Sequence, residues 1–265
     1  MQATTSYAPS DSARVLSKVP AVTLAFWIVK IFATTVGETG GDALSMTLNL
    51  GYVVSTAIFL AFFVVTLALQ VKSTHYHPLF YWLVVVATTT VGTTTSDMFD
   101  RTLGLGYVKS SAIELALVIV VLFAWRASTG SIKVDQINDR KNEIWYWLTI
   151  LVSNTLGTAL GDFMADDAGL GFEKGALVFA GLLLVVALLY RFTKVPRSIL
   201  FWAAYVLTRP LGATLGDTLT KPTAQGGLNF GRITSSLVIA AGMVLLIATT
   251  SLRKRESVEG EHAVH

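Results

Sequence analysis

The sequence predicts an all-α polytopic membrane protein, with eight transmembrane helices arranged as four parallel two-helix repeats. Three observations carry that expectation. Of 265 residues, 53% are hydrophobic and only 14% charged, whereas a soluble domain carries roughly 25% charged residues. Apolar windows near the ~20 residues a bilayer demands fall at 20–37, 50–70, 79–95, 107–125, 144–160, 172–190, 198–214 and 233–251. Finally, one short polar motif recurs four times. The absence of cysteine excludes disulfides, thiolate metal sites and Cys nucleophiles.

Residues 1–19 are polar and hold no apolar run that could be a cleavable signal. Pro20 opens the first apolar stretch, where its fixed φ suits a first helical turn. Arg14 and Lys18 just before it place the start of that helix in the cytoplasm. Two membrane halves follow, 20–126 and 143–252, joined by a polar cytoplasmic linker at 127–142. A polar cytoplasmic tail, 253–265, ends the chain.

The repeated segments are TTVGETGGD (34–42), TTTVGTTTSD (88–97), NTLGTALGD (154–162) and RPLGATLGD (209–217). Gly37, Gly92, Gly157 and Gly212 are spaced 55, 65 and 55 residues apart, and Asp42, Asp97, Asp162 and Asp217 keep the same intervals. Trp27, Trp82, Trp147 and Trp202 lie ten residues before each glycine. Gly51, Gly106 and Gly171 follow each Asp by nine, while Gly231 follows by fourteen because of an inserted KPTAQ-like stretch. Two helices per repeat put all four motifs on one side of the membrane. Thirteen basic residues lie in loops on the terminal side and five on the motif side. The positive-inside rule then makes both termini cytoplasmic. The net charge of +3 reflects this topology and does not point to nucleic acid.

Each odd-numbered helix runs about 17 residues to its motif glycine, roughly 25 Å against a ~30 Å hydrocarbon core. Gly37, Gly92, Gly157 and Gly212 are therefore expected to act as hinges that break these helices, as in transporters with interrupted helices. If helicity persists instead, residues four apart share a face. The stripes are Lys30, Thr34, Glu38 and Asp42; Thr89, Thr93 and Asp97; Asn154, Thr158 and Asp162; and Arg209, Ala213 and Asp217. Around a common axis they would form a ring of carboxylates, hydroxyls and freed helix-end carbonyls. Such hard oxygen donors suit Mg²⁺, Ca²⁺ or Mn²⁺ rather than copper or zinc.

The repeats diverge at a few charged positions. Glu38 stands where the others have Thr93, Thr158 and Ala213, and Arg209 where they have Thr34, Thr89 and Asn154. Lys30 aligns with Val85, Ile150 and Tyr205, and Glu114 with Phe59, Phe179 and Ile239. Glu38, Asp42, Asp97, Asp162 and Asp217 are the candidate cation ligands. Lys30 and Arg209 are expected to pair with them as counter-charges. Thr34, Thr89, Thr93, Asn154, Thr158 and Glu114 are candidates to line the pathway. Packing explains the glycine and tryptophan columns equally well, and the aspartates could instead cap a following helix.

On this fourfold TTxGxxxxD pattern the chain resembles a bacterial family of multi-spanning proteins defined by a repeat of unknown function, with residues 20–252 covered. Repeats three and four depart at the double Thr, with Asn154-Thr155 and Arg209-Pro210. The resemblance implies fold and membrane location but no activity. A looser similarity links Glu38-Thr39-Gly40-Gly41-Asp42 to cation exporters with a Glu-x-Gly-Asp motif.

The expectation is a transporter of a small hard divalent cation, Mn²⁺ foremost, with proton coupling as the natural drive. Its partners would be the bilayer and the ion, a homodimer is allowed, and neither a cofactor nor nucleic acid is called for. Two alternatives are a receptor or scaffold for a lipid or small solute, and a passive channel. An enzyme is not expected, because the motifs lack the Gly-x-Gly-Asp of intramembrane aspartyl proteases and the spans lack a Ser–His or HExxH arrangement.

Overall fold

A computed structural model describes residues 18–134, 137 and 139–262, with side chains up to Ser251. Its eight long helices are α1 (Leu24–Asp42), α2 (Gly51–Lys72), α3 (Pro78–Asp97), α4 (Tyr107–Thr129), α5 (Arg140–Asp162), α6 (Gly171–Phe192), α7 (Arg197–Thr220) and α8 (Arg232–His262). No strand occurs among the described residues.

Helix starts follow local chemistry. Pro20 lies outside α1. The helix begins instead after Thr23, whose hydroxyl accepts from the Phe26 amide at 3.3 Å. Pro78 occupies the first turn of α3, and Asp139 caps α5 by accepting from the Asn142 amide at 2.9 Å. The glycine column after the motif is a backbone requirement. Gly51, Gly106 and Gly171, at φ of 71–73°, turn the chain into the outer helices through a left-handed conformation that a side chain resists.

The expected break at the motif glycines does not occur. Helices α1, α3, α5 and α7 run unbroken through Gly37, Gly92, Gly157 and Gly212 to the aspartates. Five-residue π-helical turns then extend three of them, at Ala43–Thr47, Met98–Thr102 and Phe163–Asp167. Carbonyls past the motif are taken up by these turns, as in Leu48 N to Ala43 O at 2.9 Å, so the glycines free no ring of helix-end carbonyls. Nor do Asp42, Asp97 and Asp162 make side-chain caps.

The glycines are instead close-packing points. A side chain on Gly37 would overlap Thr89, one on Gly92 would lie 2.9 Å from the Asn154 carbonyl carbon, one on Gly157 would overlap Arg209, and one on Gly212 would overlap Thr34. Each glycine is thus the hole for the corresponding residue of the next repeat, and the last returns to the first. One turn on, Gly41 receives Thr93, Gly161 receives Ala213 and Gly216 receives Glu38. This small-xxx-small pattern lets backbones approach where lipid supplies no hydrophobic drive.

The four inner helices therefore close a ring, α1–α3–α5–α7–α1. Outer helices pack on the inner helix of the following repeat: α2 on α3, α4 on α5, α6 on α7, and α8 back on α1. Five helices, α2, α4, α6, α7 and α8, are long and apolar enough to cross a membrane. In the four outer ones only 11–28% of the apolar stretch is buried, against 67% in α7. Helices α1, α3 and α5 miss that hydropathy because the ring buries their threonines, glycines and charges away from lipid.

The tryptophan column makes contacts between neighbouring inner helices. Phe26 packs at a tilt against Trp82 (ring centres 5.6 Å apart), Tyr81 against Trp147 (5.3 Å) and Phe201 against Trp27 (5.7 Å), while Tyr146 meets Trp202 edge-on (6.0 Å). A fourfold aromatic ring thereby closes the terminal end of the inner bundle.

Candidate functional site

Because helicity persists, the four stripes meet along the bundle axis in layers one turn, or about 6 Å, apart. Closest to the termini is the aromatic floor, where the Tyr81 and Tyr146 hydroxyls share a 2.6 Å hydrogen bond. Lys30 lies above it with its ammonium 4.2 Å from the Tyr205 ring centre and 3.4 Å from Asn154 Oδ1. Among the described residues Lys30 pairs with no carboxylate. It sits two turns below Glu38, with Arg209 in between, which corrects the expected pairing.

Arg209 occupies the centre, fully buried. Its side chain packs over Gly157 and rises one turn, into the space left by Ala213. There its Nη2 donates to Glu38 Oε2 at 2.9 Å, to Thr158 Oγ1 at 2.7 Å and to Thr93. One guanidinium thus engages all three other members of the Glu38, Thr93, Thr158 and Ala213 layer. The small residue in repeat four is what admits it.

The carboxylate layer comes next. Glu38, Asp162 and Asp217, from three repeats and all buried, each bring an oxygen within 4.8 Å of the other two. Basic residues link Asp42 and Asp97 to the other acids of the layer. Arg101 bridges Asp97 and Asp162, both at 3.3 Å. Lys221 bridges Asp217 at 3.3 Å and Asp42 at 3.6 Å, and Arg232 reaches Asp42 at 3.3 Å. Arg101 and Lys221 occupy one repeat column, so the ring carries a twofold charge pattern. Burial alone would push the Lys221 ammonium down, but Asp217 and Asp42 hold it above its ordinary value. A cavity of about 700 Å³ opens above this layer, lined by Met46, Arg101, Asp166, Lys221, Gln225 and Arg232 among others.

All four segments of the chain at 25–76, 80–131, 145–195 and 200–256 match the repeat of unknown function DUF347. The chain belongs to this family. No curated protein and no solved structure matches it. Each DUF347 repeat contributes one inner helix to the axis and one outer helix to the shell.

The remaining candidates divide between the axis and the shell. Thr89 donates to the Ala33 carbonyl and Thr93 to the Gly37 carbonyl, both at 3.2 Å, tying α3 to α1. The Thr34 hydroxyl reaches the Thr208 carbonyl at 3.3 Å, and Asn154 Nδ2 donates to Thr88 at 3.0 Å. Glu114 belongs to outer helix α4 and stands in none of the axial layers. The sequence reading missed Arg101 and Lys221. Their signal was present as a basic residue four positions after Asp97 and Asp217, the spacing of a helical ion pair.

Proposed function

We propose that the chain is a transporter of a small hard divalent cation, Mn²⁺ foremost, crossing a bacterial inner membrane eight times with both termini in the cytoplasm. The observation that carries this reading is the meeting of the Glu38, Asp162 and Asp217 carboxylates, whose basic partners Arg101 and Lys221 line a polar cavity. Three anionic oxygen ligands from three repeats supply the charge and hardness such an ion requires. Asp42 and Asp97 would join as it binds.

In the described state ion pairs compensate most of the axial charge. Glu38, Asp42, Asp97, Asp162 and Asp217 are held by four basic groups, Arg101, Arg209, Lys221 and Arg232, while Lys30 contacts Tyr205 and Asn154. Arg101 and Arg232 are partly exposed, at 29% and 21%. With Lys221 they act as tethered counter-ions that withdraw into the cavity as the cation takes their place. Arg209 stays and weakens the cation's hold on Glu38, so that binding remains reversible. Release toward the termini requires the aromatic floor to part. The glycine-lined crossings allow that by sliding of packed helices rather than by hinge bending.

Uptake of Mn²⁺ into proteoliposomes tests the reading. Glu38→Gln, Asp162→Asn and Asp217→Asn should each reduce uptake at least tenfold in folded protein, and full retention in all three overturns it. The charge compensation favours a second reading, a static scaffold, which predicts no saturable uptake by the wild type. Orientation is testable in the same membranes, because a chain without cysteine accepts single reporter cysteines at Ser128 and Gln225.

A further inference from the structure

Repeat two departs from its sisters at three positions that converge in space. Ser96 replaces Gly41, Gly161 and Gly216 of the other repeats, Asp100 replaces Ser45, Ala165 and Thr220, and Glu114 replaces Phe59, Phe179 and Ile239. The sister repeats build the same helix pairs without these groups, so packing does not demand them. Ser96 Oγ donates to Asp100 Oδ2 at 3.4 Å. The Ser110 hydroxyl faces the same carboxylate without a well-formed hydrogen bond. Glu114, one helical turn beyond Ser110, is the carboxyl on which Asp100 acts.

All four side chains are buried, with Glu114 2% exposed. Asp100 Oδ1, Ser110 Oγ and both carboxyl oxygens of Glu114 have no hydrogen-bond partner among the described residues. The nearby charges do not supply one. Arg101 acts on Asp100 from a distance but makes its ion pairs with Asp97 and Asp162, and Asp167 is another acid acting on Asp100. The cluster is thus a buried set of acceptor oxygens with no ion pair of its own among the described residues, an arrangement that is costly unless a cation completes it.

We propose that Ser96, Asp100, Ser110 and Glu114 form a second, off-axis site for a hard metal cation, specific to repeat two. Two carboxylates and two hydroxyls are oxygen donors of the kind that hold divalent ions. The site lies between the π turn after α3 and outer helix α4 and uses none of the axial carboxylates, although Ser96 immediately precedes Asp97. It therefore does not depend on the transport reading.

The test counts Mn²⁺ bound to the purified full-length chain in micelles, from the loss of the free-ion paramagnetic resonance signal. Glu114→Gln or Asp100→Asn should each remove one bound ion per chain, while Asp162→Asn and Asp217→Asn leave that ion in place. Combining Glu114→Phe with Asp100→Ser installs the residues of a sister repeat. It should lose the same ion while unfolding no earlier than wild type. Equal Mn²⁺ stoichiometry in the wild type and these variants, or no bound ion in the wild type, overturns the proposal. An ion lost only on changing Asp100 or Glu114 supports it even where the axial variants transport normally.

Discussion

Replacing Glu38 by Thr, the residue of repeats two and three, removes the only carboxylate among the described residues that Arg209 touches and leaves its guanidinium facing the hydroxyls of Thr93 and Thr158. At 2.9 Å and an effective dielectric near 20, the attraction between the pair is about 6 kcal/mol. Separating both charges from water offsets part of that, and breaking such a pair from one side costs about 3–5 kcal/mol. Arg209→Thr should cost a similar amount by stranding Glu38. The double substitution removes both charges and restores side chains that pack at the sister positions, so its cost should fall below about 2 kcal/mol. A double-mutant cycle then shows a coupling of at least about 4 kcal/mol. Denaturant unfolding in micelles, followed by the fluorescence of the buried Trp82, Trp147 and Trp202, measures all four corners. Additive costs would refute the placement of Arg209 against Glu38 as the central pair of the ring.

Three further outcomes follow from the same geometry. Gly157→Ala forces a methyl into Arg209 and should destabilise by about 1–3 kcal/mol, whereas Gly181→Ala, where a methyl meets nothing within 4 Å, should be neutral or stabilising; equal effects would contradict the packing ring. Tyr81→Phe leaves the Tyr146 hydroxyl buried without its 2.6 Å partner and should cost about 1–3 kcal/mol, read from the same unfolding curves. Hydrogen bonds from the side chain and backbone of Asn142 hold the Asp139 carboxyl below the usual aspartate range. Its contribution is complete above the ordinary aspartate value and lost as pH falls through the lowered folded value. For so exposed a group it amounts to about 0.5 kcal/mol or less. Asp139→Asn should keep the cap and flatten this acid dependence, and an unchanged acid slope would show that the cap does not depend on charge.

How far the sequence could be read depends on whether an interaction is local. Helical periodicity is local, so the stripes from Lys30 to Asp42 and from Arg209 to Asp217 were legible from spacing alone, as was the fourfold repeat. Of the two readings of the motif glycines, packing held and the hinge failed, because the hinge rested only on conformational freedom, which is also local knowledge. The actual role of Gly37, Gly92, Gly157 and Gly212 is set by the neighbouring helix that fills the space. The small-xxx-small pairs Gly37 and Gly41, Gly157 and Gly161, and Gly212 and Gly216 were there to be read and pointed to that packing.

The sequence by itself determined the membrane setting, the four repeats, the two helices in each and the register that aligns their acids. Only the tertiary structure decided that each outer helix packs on the next repeat's inner helix, and that Arg209 rather than Lys30 meets Glu38. It also decided that Arg101 and Lys221 bridge acids across repeat boundaries, and that Glu114 belongs to the shell. The physical reason is that charge compensation in a buried ring is a property of the closed circle. Which cation reaches which acid depends on side-chain length, on the gap left by a small residue such as Ala213, and on helices that neighbour one another only once the chain has returned on itself.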